Sequence, residues 1–339
     1  MDIKYDALEK ELNNDKIHSV YLLYGDEKFL IDNIVKKIKK KFGDLVQGIN
    51  YVIIDDTNIN DLIFNIEVPA FGYDKKLIII KNSGLFKKDG RKKTLTPVQK
   101  EVKDYFSENS SIINEMAVVV FIEDEVDKNE VFEEVGKIGA VCNISELKPN
   151  QLISKLKSIC SMYKVNCTDD TLNYLLETSG TNLQVLINEI RKLIEYAGEG
   201  GTISRDAIDK LAIKQIESVI FELTDNLGSK NIDKALEVLD NLFYQKEPLP
   251  KVLVTLYNHF KKLYLCNIAQ KLNKDVVTSL GLKPNQTFLV NKYKKQASYF
   301  KIKDLEQILH EFVEIDYKFK SGLIDADVAL RSVLCGYCS

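Results

Sequence analysis

Five short apolar runs punctuate the first 144 residues and none follows, an asymmetry that confines the chain to an α/β region joined to a helical one. The runs are Val20–Tyr24, Tyr51–Ile54, Leu77–Ile80, Ala117–Ile122 and Val141–Ile144. They predict strands, and Leu77–Ile80 is a continuous apolar run of the kind found in parallel sheets covered on both faces. Helical patterns fall between them. Leu30, Ile34 and Ile38 recur at i, i+4, i+8 after Gly25, and Leu62, Ile63 and Ile66 mark a short helix ahead of Val68. Strands alternating with helices predict a three-layer α/β domain over residues 1–144.

From Lys148-Pro149 onward the signals are helical. Gln151 to Met162 carries Leu152, Ile153, Leu156 and Ile159 on one face, and Thr168-Asp169-Asp170 caps a helix bearing Leu172, Leu175 and Leu176. Asn182 to Ile194 forms a third helix, stopped by Gly198 and Gly200-Gly201. Residues 145–213 therefore predict a small helical domain. The remainder, 214–339, shows helical periodicity near 215–227, 231–244, 249–272, 286–299, 302–320 and 325–336, broken at Pro248, Pro250, Gly281, Pro284 and Gly322. Leu256, Phe260, Leu263 and Tyr264 lie on the longest of these segments, which can act as the spine of a bundle. Such a stripe reads as core, with a face for a neighbouring subunit as the functional alternative.

A length of 339 residues suits two or three domains. With 47 Lys and Arg against 50 Asp and Glu the net charge is -3, so nothing draws the whole chain to nucleic acid or to a membrane surface. No run approaches the roughly 18 apolar residues of a membrane span, and Met1 to Asp6 lacks the apolar core of a secretory signal. A cytoplasmic protein is the expectation. The six cysteines are scattered. Only Cys335 and Cys338 have redox spacing, and they lie at the end of a helical stretch, where no helix N-terminus lowers a thiol pKa. His18, His259 and His310 are far apart. No metal site and no cofactor are expected.

Strand, glycine turn and helix at Val20–Ile38 mark the place where nucleotide-binding folds put a phosphate loop. A working loop needs two glycines that let backbone amides converge on phosphates, then a Lys and a hydroxyl. Gly25-Asp26-Glu27-Lys28-Phe29-Leu30 has acids where phosphate would sit and lacks the second glycine and the hydroxyl. The run Ala117–Ile122 ends in Glu123-Asp124-Glu125, which reads either as a solvated strand end or as the remnant of a magnesium-holding element. Between Asp74 and Lys103 stand ten basic residues against three acids, a stretch that is either a solvated loop or a phosphate-neutralising patch. Lys87, Lys88, Arg91, Lys92 and Lys93 are its possible DNA contacts. Val68-Pro69-Ala70-Phe71-Gly72 presents one aromatic between a proline and a glycine, as at a turn.

In this order and at these separations, several pieces resemble the delta subunit of the bacterial DNA polymerase III clamp loader. They are Val20-Tyr21-Leu22-Leu23-Tyr24-Gly25 with Phe29-Leu30, Phe71-Gly72 with Lys76-Leu77-Ile78-Ile79-Ile80, Thr181-Asn182-Leu183 with Asn188-Glu189-Ile190-Arg191-Lys192-Leu193, and Asp316-Tyr317-Lys318-Phe319-Lys320-Ser321-Gly322. The resemblance covers essentially the whole chain. It implies an AAA+-like domain that does not use ATP, a small helical lid domain and a C-terminal helical collar domain within a hetero-pentamer. The partners it implies are ATP-binding subunits, delta-prime, the sliding clamp and, through the complex, primed DNA. The implied task is to bind the clamp and open its ring, as a non-catalytic subunit of the polymerase holoenzyme. The family's clamp contact, a pair of apolar residues at a helix tip, matches Ala70 and Phe71. Family members commonly carry a larger residue where Ala70 stands, so Val68 and Pro69 are the neighbours that could supply apolar area. An AAA+-type ATPase using Glu123 and Asp124, and a stand-alone DNA-binding protein using the basic stretch, are the rival expectations.

Overall fold

The computed structural model describes residues 2–87, 95–244 and 246–336. The chain forms two compact units, one ending at Glu146 and the other beginning at Leu147.

The first unit is built on five parallel strands, β1 (Val20–Tyr24), β2 (Tyr51–Ile54), β3 (Lys76–Lys81), β4 (Ala117–Glu123) and β5 (Ala140–Asn143), in the spatial order β2-β3-β4-β1-β5. Each predicted run is a strand. The register aligns apolar side chains across the sheet, with Val52 beside Ile78, Ile78 beside Val119 and Val119 beside Val20. Among the described residues the strands are accompanied by the α-helices α1 (Tyr5–Asn13), α2 (Lys28–Phe42), α3 (Leu62–Glu67), α4 (Pro97–Glu108), α5 (Ser110–Met116) and α6 (Glu130–Ile138). On one face Phe121 meets Phe86 edge to face at 5.1 Å and Phe106 at 6.0 Å between ring centroids. Each such ring, withdrawn from water, contributes roughly 1.5–3 kcal/mol. The alternate strand residues Tyr21, Leu23, Ile79, Val118 and Val120 are buried as well, so both faces are covered at the central strands β1, β3 and β4, whereas Ile53 on the edge strand β2 is exposed.

One expectation is corrected here. The basic stretch is not loop throughout, because its last part is α4. Thr96 caps that helix, accepting from the Gln99 amide while Gln99 Oε1 takes the Thr96 amide, and Pro97 supplies the first turn. Gln99 is buried and its Nε2 donates to the carbonyls of Leu85 at 2.9 Å and Lys87 at 2.7 Å, which ties the end of the described loop to the helix.

The second unit is helical. Its first part holds α7 (Pro149–Met162), α8 (Asp169–Ser179), α9 (Leu183–Ala197) and α10 (Arg205–Leu211), of which α8 starts at the Thr168 cap and stops at Gly180. Among the described residues there follow α11 (Ile216–Gly228), α12 (Ile232–Tyr244), α13 (Leu249–Lys271), α14 (Val276–Leu280), α15 (Val290–Ala297), α16 (Ile302–Lys320) and α17 (Ala326–Gly336). The predicted spine is α13, whose Phe260 packs edge to face on Phe312 and Phe300. Buried His259 presents Nε2 to Gln296 Oε1 at 2.8 Å, and Gln296 Nε2 donates to the Phe221 carbonyl at 2.8 Å. Burial pushes His259 down to about 3, so it is a neutral donor that helps fasten α15 to α11 and α13. The segment expected near 286–299 begins differently: Pro284 opens a short 3₁₀ turn, and α-helix follows only from Val290. Among the described residues no helix is long and apolar enough to cross a membrane.

Candidate functional site

Two turns in the first unit carry the residues singled out by sequence, and the parallel sheet separates them. The loop at Gly25 follows β1 and so lies at the carboxyl ends of the strands, where α/β folds hold ligands. The turn at Phe71 precedes β3 and lies at the opposite, amino edge. There Gly72, Tyr73 and Lys75 line a cleft of 470 Å³ together with Ser19, Asn50 and Val118.

At the carboxyl edge, the groups that would serve a nucleotide are engaged within the protein. The Gly25 amide donates to the Glu123 carbonyl at 3.3 Å, and the Glu27 amide to the Ile144 carbonyl at 3.1 Å. Gly25 has φ +127°, and a Cβ there would lie 2.5 Å from the Ile144 carbonyl oxygen, so the glycine serves a close backbone approach inside the fold. The Lys28 ammonium pairs with the Asp124 carboxylate. Glu123 is only 2% exposed, and its Oε1 accepts from the Ser83 amide at 2.9 Å and the Ser83 hydroxyl at 2.6 Å. Burial raises its pKa above the usual carboxylate range, while the Ser83 hydrogen bonds pull the other way.

At the amino edge, α3 leads into the turn. Leu62 and Ile66, one helical turn apart, face the core and are fully buried. Pro69 disfavours helix at the residue before it, and Val68 is extended at φ -73°, ψ 118°. The chain then reverses through Ala70-Phe71-Gly72-Tyr73. The Tyr73 amide donates to the Ala70 carbonyl at 3.0 Å, and Gly72 takes φ +80°, the arrangement of a type II turn with glycine where φ must be positive. The turn separates the expected pair: Ala70 is 8% exposed and Phe71 is 90% exposed. Val68 and Pro69 are exposed beside Phe71.

A buried lysine braces this tip. Lys76, at the start of β3 and 2% exposed, sends Nζ to the Asn65 carbonyl at 3.0 Å, meeting the negative end of α3, and burial pushes its pKa below the ordinary lysine range. Lys75 donates to the Asn114 carbonyl at 2.6 Å. Both belong to the basic stretch, and both hold the fold. Lys87 is exposed on the other edge. Lys88, Arg91, Lys92 and Lys93 lie outside the described residues, as does Cys338. Sequence reasoning passed over Phe64, 66% exposed on α3. The available signal was that a six-residue helix carrying Leu62, Ile63, Phe64 and Ile66 has more apolar side chains than one buried stripe accommodates.

These features define an AAA+-like α/β domain with a degenerate phosphate loop, followed by helical domains. Residues 21–137 match the family described as DNA polymerase III, delta subunit, and residues 217–337 match the C-terminal domain of the same subunit. A probable DNA polymerase III subunit delta of Aquifex aeolicus is 29% identical over 333 residues, covering 93% of this chain and 90% of that protein. The DNA polymerase III subunit delta of Bacillus subtilis is 20% identical over 331 residues, covering 96% and 94%. A solved structure of a Bacillus subtilis DNA clamp loader delta protein matches with a TM-score of 0.76 at 20% identity, over 98% of this chain and 99% of that one. The chain belongs to the DNA polymerase III delta subunit family.

Proposed function

We propose that the chain is a clamp-loader subunit that binds the sliding clamp through the Phe71 turn and opens the clamp ring for loading onto primed DNA, without using ATP itself. The observation that carries this reading is an aromatic side chain left 90% in water on a glycine-dependent turn that the fold braces from behind. Exposing a phenyl ring is unfavourable unless a partner covers it, and a rigidly held aromatic at the centre of a contact is the usual form of a binding hot spot. Phe71 is the anchor, Val68 and Pro69 flank it, and Ala70 is the small residue that seats the turn against the domain. Ring opening requires only that this surface bind the open clamp better than the closed one.

ATP control then comes from partner subunits, in keeping with the occupied amides at Gly25 and Glu27 and the Ser83 clasp on Glu123. In this reading residues 145–213 form a lid and residues 214–339 a collar that joins the other subunits, delta-prime among them. Lys87, Lys88, Arg91, Lys92 and Lys93 are the proposed DNA contacts within the assembly. The test is equilibrium binding of the purified protein to the clamp, native against Phe71→Ala. Loss of a buried phenyl costs about 1.5–3 kcal/mol, so affinity falls about 10- to 150-fold. An unchanged affinity overturns the assignment.

A further inference from the structure

Phe71 and Phe64 are the two most exposed large apolar side chains of the first unit among the described residues, and the inference drawn from them rests on the clamp-binding reading of Phe71 and deepens it. Phe64, Val68, Phe71 and Tyr73 are all exposed within ten residues. On α3, Phe64 stands two positions from both Leu62 and Ile66, roughly 200° around the helix, and so points away from the core that those two enter. Val68 donates its amide to the Phe64 carbonyl at 3.0 Å, which stacks the two residues one turn apart on the outer face. That face continues into the Phe71 turn with no element between. Four helical steps and three extended ones place Phe64 within about 16 Å of Phe71 along the chain. A standard interface of about 800 Å² per partner spans roughly 30 Å, so a surface that receives Phe71 also meets α3.

We propose that the clamp contact is bipartite: Phe71 is the inserted anchor, and Phe64 with Val68 forms a second apolar contact on the same clamp surface. This second contact supplies the apolar area that the burial of Ala70 withholds. Phe64 is two-thirds exposed on a helix of only six residues, directly before the Phe71 turn.

The experiment measures clamp affinity of the full chain for native protein, Phe64→Ala, Phe64→Lys, Phe71→Ala and, as a control on an exposed aromatic of the second unit, Tyr196→Ala. Thermal melting of each variant is recorded alongside. The expected result is a loss of about 5- to 20-fold for Phe64→Ala, with unchanged melting and an unchanged dependence on salt, and at least as large a loss for Phe64→Lys, a good helix former, with unchanged melting. Tyr196→Ala binds as native. Native affinity in both Phe64 variants with a weakened Phe71→Ala overturns this proposal and leaves its parent standing. Native affinity in all of them overturns the parent reading. Concentration-dependent self-association that Phe64→Ala abolishes would assign the face to a second copy of the chain and likewise overturn the proposal.

Discussion

Two glycine turns stand at opposite edges of one parallel sheet, and they dispose of their chemistry in opposite ways. At Gly25 the backbone is packed so closely on Ile144 that no side chain fits, its amides reach neighbouring carbonyls, and the nearby acid Glu123 is buried on Ser83. At Gly72 a Cβ would meet nothing within 4 Å, and the adjacent phenyl is surrounded by water. The first turn is tied to its neighbours by backbone hydrogen bonds and a close approach, and the second holds its aromatic in water. Where nucleotide-binding folds put a phosphate loop, the Gly25 and Glu27 amides are engaged within the fold, while the opposite edge of the sheet carries the exposed apolar group. Place in the fold does not assign function. The fate of the local hydrogen-bonding groups and apolar surface does.

This contrast can be broken by substitution. Gly25→Ala combines a strained φ of +127° with a 2.5 Å approach to a backbone oxygen, and should destabilise the protein by about 2–4 kcal/mol in urea denaturation. A change below about 1 kcal/mol would show that the loop is not locked. Gly72→Ala meets no neighbour but must still adopt φ +80°, which costs about 1 kcal/mol. Its clearer effect should be on clamp affinity, because relaxing the turn redirects Phe71. Native affinity in a variant of unchanged fold would mean that the turn geometry is not used.

The smallest effect tests the buried acid, and its sign is fixed by linkage. A carboxylate whose pKa is raised in the folded state contributes stability that is full below its unfolded value, ordinarily 4.5, and is lost as pH rises through the folded value. Glu123→Gln removes the charge and can keep an oxygen for Ser83. The variant should gain stability relative to native protein at pH 7, with the gain vanishing toward pH 4. A relative stability that instead falls from pH 4 to pH 7 would show that the ionised form is the one that the fold prefers.

Much of this arrangement was legible in the chain. The strands announced themselves as short runs between helical patterns, most plainly where the central strands are covered on both faces and leave no polar alternation to confuse the pattern. The loss of loop chemistry at Gly25 and the turn at Phe71 could be read from local residue types. What was not legible depends on contacts distant in sequence. Ser83 and Glu123 are 40 residues apart, and nothing local marks them as partners. Lys76 sits in a basic stretch that reads as solvated, yet it is buried because it meets the end of α3. The burial of Ala70 beside an exposed Phe71 is set by the turn's seat on the domain, which a list of apolar residues does not contain. The capping pair Thr96 and Gln99 was readable, but the surrounding charge masked the helix that it starts.

The central claim is that a protein surface, with no nucleotide, performs the first unit's work. The most direct measurement is clamp binding by the purified chain without nucleotide, native against Phe71→Ala, repeated with magnesium ATP at millimolar concentration. Native protein should bind without nucleotide, ATP should leave its affinity unchanged, and Phe71→Ala should weaken it about 10- to 150-fold. Native affinity in Phe71→Ala, or native binding that appears only when ATP is added, would contradict the account.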